Sequence, residues 1–225
     1  MTFPASREAF FELVAHYNDA LWPWQLVALG AAMAAAALTT KGAAHSGRAV
    51  GALLALLWGW IGLAYHAGML AGVHPAAPAF GAVCVLGALA FAWYGVRHDG
   101  FRFAAGAPFT GGAARARQLV GWGLVLVALF VYPMIGVALG QRFPAAISFG
   151  MPSPTTIYTI GLLVLGGPTL PRVLWAAPLL SVVIGTVSAL TLGLVQDLLL
   201  PVAAVVALWV TGVTPVPPHS ASAKP

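Results

Sequence analysis

The stretch VLWAAPLLSVVIGTVSALTLGLVQDLLLPVAAVVALWV (residues 173–210) decides the fold. Asp197 is its only charged residue. A helix rises about 1.5 Å per residue and crosses a hydrocarbon core of about 30 Å in about 20 apolar residues. One helix through the whole stretch would be about 60 Å long, twice that thickness. Gly193, Gln196 and Asp197 interrupt it near the middle. Two spans, 173–193 and 197–213, joined by a tight turn satisfy both facts.

The rest of the chain has the same character. Of 225 residues, 60% are hydrophobic and 7% are charged, too few charges to solvate a soluble domain of this size. This composition predicts an all-α, polytopic membrane helix bundle. Further spans read at roughly 21–40, 49–71, 76–96, 118–140 and a short 155–170, giving about seven. The lone cysteine, Cys84, lies in an apolar run and reads as a small packing residue without a disulfide partner. Glu8, Glu12 and Asp19 stand where a cleavable signal would need a basic start and an apolar core. No internal repeat is evident.

Basic residues test the count and set the orientation. With seven spans, Lys41, Arg48, Arg97, Arg102, Arg115, Arg117, Arg172 and Lys224 share one side, and only Arg7 and Arg142 lie on the other. Basic residues stay cytoplasmic, so the N-terminus is expected outside and the C-terminus inside. A re-entrant fifth segment would move Arg172 and Lys224 across and weaken the asymmetry. This topology accounts for the net charge of +5, and no nucleic-acid partner is expected. The partner is the lipid bilayer.

Three regions follow. Residues 1–20 read as an interfacial amphipathic helix: Ser6 is a cap, and Phe10, Leu13, Val14 and Tyr17 share one face. Trp22 and Trp24 then fall where an aromatic belt would lie. Residues 21–213 form the transmembrane bundle. The tail 214–225 has a disordered composition, and the Gly-, Ala- and Arg-rich loop 97–117 reads as mobile.

Polar residues gather in the outer half. Tyr65 and His66 lie near the outer end of the second span, Tyr132 in the outer half of the fourth, Gln196 and Asp197 in the turn between the last two. Asn18 and Gln25 flank the start of the first. Small residues let membrane helices pack closely, and three faces carry them: Ala55–Gly59–Gly62–His66, Tyr132–Gly136–Gly140 and Ser181–Gly185–Ser188. Such faces serve packing inside one chain or between copies, so a homo-oligomer is an open reading. Before the fifth span, Pro152 and Pro154 predict extended chain up to Thr155, with Thr155, Thr156 and Thr159 offering hydroxyls at a recessed helix start. Two readings stand there: the wall of an outward-facing polar pocket, or a Pro-rich loop entering a capped helix. His66 reads as a ligand-binding or proton-handling group, or as a hydrogen-bonded packing residue. Asp197 reads as a pocket residue or a helix cap.

The segments HYNDALWPWQ (16–25), YPMIGVALGQRFP (132–144), FGMPSPTTIYTIGLL (149–163) and VQDLLL (195–200) resemble a bacterial integral membrane family known only as a domain of unknown function. The resemblance covers roughly residues 10–210. It implies a multipass protein of the bacterial inner (plasma) membrane and supplies no activity.

No cofactor, metal or catalytic residue is expected. Retinal needs a lysine within a span, and Lys41 and Lys224 lie outside them; bis-histidine haem needs two inward histidines, and only His66 qualifies. The spacing of His16, His66, His74 and Asp197 matches no metal motif, and no nucleotide-binding GxxxxGK[ST] loop is present. By elimination the first expectation is a small-solute transporter or channel whose outer pocket is lined by Tyr65, His66, Tyr132, Thr155, Thr156, Thr159, Gln196 and Asp197. The alternatives are an accessory subunit of a membrane complex and an enzyme acting on a lipid-type substrate.

Overall fold

The computed structural model describes residues 6–41, 45–98, 101, 103, 111–167 and 170–212. The predicted tail 214–225, together with Arg102, Lys224 and most of the loop 97–111, lies outside them. Among the described residues there are eight principal helices: α1 (Arg7–Leu21), α2 (Trp24–Lys41), α3 (Ser46–Gly72), α4 (Ala77–Arg97), α5 (Gly112–Ala138), α6 (Pro152–Leu165), α7 (Arg172–Leu192) and α8 (Val195–Gly212). Five of them, α3, α4, α5, α7 and α8, are long and apolar enough to cross a membrane. A sixth crossing results if α1 and α2, bent by 82° at Trp22–Pro23, count as one broken span.

Helix ends follow local chemistry. The Ser6 hydroxyl accepts from the Ala9 amide at 3.2 Å and starts α1 as expected. Phe10, Val14 and Tyr17 are buried and Leu13 half-buried, as the face of α1 predicted, while Arg7, Glu8 and Glu12 are exposed. Gly193 adopts a left-handed conformation (φ 66°) and ends α7, so the long apolar stretch does break into two helices. The arginines Arg115 and Arg117 belong to α5, so the loop expected over 97–117 ends earlier, at Gly112.

The helix α6 is the axis of the molecule. It has 14 residues, about 21 Å, and every side chain from Ser153 to Leu165 is buried. A helix sheathed on all sides by protein need not match the lipid thickness, which is how so short a segment is accommodated. The expectation of extended chain up to Thr155 is corrected here. Met151 is extended (φ −79°, ψ 162°) and the helix begins at Pro152. Both prolines sit in the first turn, where amides have no intrahelical acceptor, so their missing N–H costs nothing.

Helices in lipid gain little from burying apolar surface against one another, so close approach and hydrogen bonds must hold the bundle. Three glycine pairs bring helices into backbone contact. A Cβ on Gly161 (α6) would lie 2.8 Å from the Gly121 carbonyl oxygen (α5). One on Gly62 (α3) would lie 2.7 Å from the Gly81 carbonyl oxygen (α4), and one on Gly51 (α3) 2.6 Å from the Cα of Gly95 (α4). The small-residue faces thus pack largely within the chain: Gly185 meets Leu200, and Gly136 meets Gln141. Gly140 is the exception. It lies beyond the end of α5 with φ 86°, in a turn, so the Gly136–Gly140 pair is not a helix-packing face.

Charge divides the two ends of the bundle. Lys41, Arg48, Arg97, Arg115, Arg117 and Arg172 occur at helix termini that meet at one end. Glu8, Glu12, Asp19 and Asp197, with Arg7 and Arg142, occur at the other. The second, acidic end is where the polar side chains converge.

A polar cavity at the acidic end

The segment 139–151 crosses the acidic end between α5 and α6, and one side chain holds much of it. Asn18, fully buried in α1, donates through Nδ2 to the carbonyls of Pro144 (2.6 Å) and Ala146 (2.7 Å). Its Oδ1 accepts from the Ser148 hydroxyl at 2.9 Å. Gln25 Nε2 in turn donates to the Asn18 carbonyl at 2.9 Å, tying α2 to α1 across their bend. Phe149 sets its ring edge against Tyr158, whose hydroxyl donates to the Ala32 carbonyl of α2 at 2.9 Å.

Next to this clamp lies a second buried polar layer. The Tyr132 hydroxyl of α5 donates to Oδ1 of Asp197, and Ser153 at the start of α6 borders both groups. Gln141 and Gln196 form a reciprocal amide pair: Gln141 Nε2 donates at 2.5 Å and Gln196 Nε2 donates back at 3.0 Å. Each amide satisfies the other, as burial requires. The layer joins α5 and the segment after it to the starts of α6 and α8.

In front of Asp197 is a cavity of about 70 Å³. Phe10, Tyr65, His66, His74, Phe80 and Cys84 are among the residues that line it, and Ser153, Ser181, Ser188 and Asp197 add polar groups. His66 is 5% exposed, and its Nδ1 has no hydrogen-bond partner among the described residues. It stands in a widened, π-helical stretch of α3, Ile61–Met69, with the edge of the Tyr65 ring 5.2 Å away, centroid to centroid. Such widened turns recur at functional sites. The site therefore offers hydrogen-bonding groups and one carboxyl group inside mainly apolar walls.

The eight residues expected to line one pocket separate into three sets. Tyr65, His66 and Asp197 line the cavity. Tyr132 and Gln196 are 0% and 1% exposed and stand behind Asp197 as supports. The threonines sit deeper in α6. Thr156 reaches the cavity only through Ser181, to which its hydroxyl donates at 2.8 Å. Thr155 is fully buried and its hydroxyl has no partner among the described residues. Thr159 donates to the Thr155 carbonyl at 2.7 Å and accepts from Trp58 Nε1 at 3.1 Å, well inside the bundle. Of this stretch, Pro152 and Ser153 line the cavity, and the three threonines are packed deeper in the bundle.

Asp197 is also not a helix cap. Its carboxyl group faces Tyr132 and the cavity, and its amide donates to the Leu194 carbonyl. Ser153, Gln141 and the aromatic wall of Phe10 and Phe80 were not among the expected site residues. Gln141 and Ser153 fall within two of the segments that carried the family resemblance, and that was their only signal.

The chain belongs to a family: the model for the Family of unknown function (DUF6064) matches residues 7–215. No curated protein and no solved structure matches the chain.

Proposed function

We propose that this member of the family is a seven-span plasma-membrane protein whose cavity at the acidic end opens outward and receives a small solute, as a transporter or channel would require. The count adds α2 and the sheathed α6 to the five long apolar helices, with α1 lying on the outer surface. Gathering of arginines at one end supports a cytoplasmic placement of that end and an outer placement of the cavity.

One observation carries the reading. His66 and Asp197 are both more than nine-tenths buried in a helical bundle and face the same cavity. Ionisable side chains within membrane helices are costly and are retained where they handle a solute or ion. A purely structural role would leave them paired with one another or with backbone, yet His66 Nδ1 has no partner among the described residues.

Access tests it. Ser188 lines the cavity and is half-buried. In a Cys84→Ala background, Ser188→Cys in intact cells should react with a small hydrophilic thiol reagent supplied from outside. A thiol that stays unreactive from outside, or reacts only when the cytoplasmic side is opened, removes the outward pocket.

A further inference from the structure

We propose that the cavity is a binding site for a small organic ammonium ion. This deepens the reading above and rests on it.

Asp197 is the carboxyl group on the cavity wall, it is 3% exposed, and among the described residues no lysine or arginine lines the cavity. Arg7 is exposed and sits 5.6 Å over the Phe11 ring, and Arg142 is exposed. A buried carboxylate without a cationic side chain is costly, and a bound cation removes that cost. Tyr132 reaches Asp197 from behind, and Ser153 borders it. A carboxylate has about four acceptor positions, so capacity remains for a ligand.

The remaining walls select the kind of cation. Phe10, Tyr65 and Phe80 place three aromatic rings on the cavity surface. Aromatic faces attract ammonium groups, and methylated or alkyl ammonium ions also suit apolar walls. A metal ion needs several N, O or S ligands close together, and among the described residues no three His, Cys, Asp or Glu side chains are grouped so that they could hold one. An anion would face the carboxylate. His66 Nδ1, buried in the lining and without a partner among the described residues, adds an acceptor for an N–H or O–H of the ligand when the imidazole is neutral. The other imidazole on the wall, His74, accepts from the Ala76 amide through Nδ1.

The test uses the purified full chain in detergent at about pH 8, where a histidine of ordinary basicity is uncharged. Choline and methylammonium are titrated, with 3,3-dimethylbutan-1-ol as the uncharged isostere of choline, and binding is read by calorimetry and by the shift in unfolding temperature. One of the two ammonium ions should bind, choline about tenfold or more tighter than its isostere if choline is the one that fits. Asp197→Asn should weaken that binding about tenfold or more, and Phe80→Leu about threefold. If Asp197→Asn does not fold, Phe80→Leu and the comparison with the isostere on the unaltered chain decide alone.

Equal binding of choline and its isostere, or full affinity in a folded Asp197→Asn, overturns the ammonium assignment and leaves a solute pocket. Absence of binding by both ammonium ions, with Ser188→Cys reactive from outside, likewise overturns only the assignment. An unreactive Ser188→Cys overturns both.

Discussion

Asn18 shows what one side chain does in this bundle. Two backbone carbonyls of the segment 139–151, those of Pro144 and Ala146, receive their donors from its single amide group. A polar group left unpaired in a buried setting costs about 1–3 kcal/mol. Asn18→Ala should therefore lower stability by about 2 kcal/mol, read as a fall in unfolding temperature in detergent, and should loosen the segment before α6. A change within error would mean that water replaces the amide. Thr159 makes a second case. As a pocket wall its hydroxyl would matter to a ligand, and as a cap it would hardly matter at all. Its contact with Trp58 Nε1 leads to a third outcome: Thr159→Val should orphan the indole N–H and cost about 1–3 kcal/mol while leaving solute binding intact. Loss of binding without loss of stability would return Thr159 to the pocket. At this scale, His66 and Asp197 were legible because an ionisable group in an apolar run is conspicuous. The threonines stand behind the cavity for a physical reason. Helical period tells which residues share a face, but α6 is buried on every face, so Thr155, Thr156 and Thr159 are enclosed whichever way they point.

At the scale of elements, close contact between α5 and α6 is set by the absence of side chains. A Cβ on Gly161 would meet the Gly121 carbonyl oxygen at 2.8 Å and the Val125 amide nitrogen at 3.0 Å, both backbone atoms that cannot turn aside. Gly161→Ala should push the helices apart and cost about 1–3 kcal/mol, the usual range for overpacking. Gly123 lies on the same helix α5 with open space at its Cβ, so Gly123→Ala should be neutral or slightly stabilising. The two variants, compared by thermal unfolding, separate packing from helix propensity; equal effects would show that the α5–α6 contact can relax. The break between α7 and α8 was readable in the sequence because length forbade a single helix. The start of α6 was not, since prolines that end one helix are equally at home in the first turn of another. Which applies depends on whether the amides they replace had acceptors, and that is fixed by the fold.

The whole molecule is organised by where its charges and its shortest helix lie. Arginines collect at one end and the polar cavity at the other, while α6, at 14 residues shorter than the five long apolar helices, runs between them inside a ring of longer helices. Composition and apolar run lengths were enough to read an all-helical bundle with several helices long and apolar enough to cross a membrane. The number of crossings was harder, because α2 and α6 fail a length-and-apolarity test taken singly yet belong to the bundle through contacts with other helices. Cysteine labelling settles the count. In a Cys84→Ala background, cysteines introduced at positions 5 and 145 should react in intact cells with a membrane-impermeant reagent. Cysteines at 107 and 220 should react only after the membrane is opened. The pair 145 and 220 is the discriminating one: α6, α7 and α8 separate them, so an odd number of crossings places them on opposite sides. If position 220 reacts from outside together with 145, α6 dips into the membrane and returns, six crossings remain, and Arg172 moves to the outer side. That outcome would weaken the charge asymmetry on which the orientation rests. Protection of 107 and 220 with reaction at 5 and 145 fixes seven crossings and puts the carboxyl group of Asp197 within reach of solutes arriving from outside.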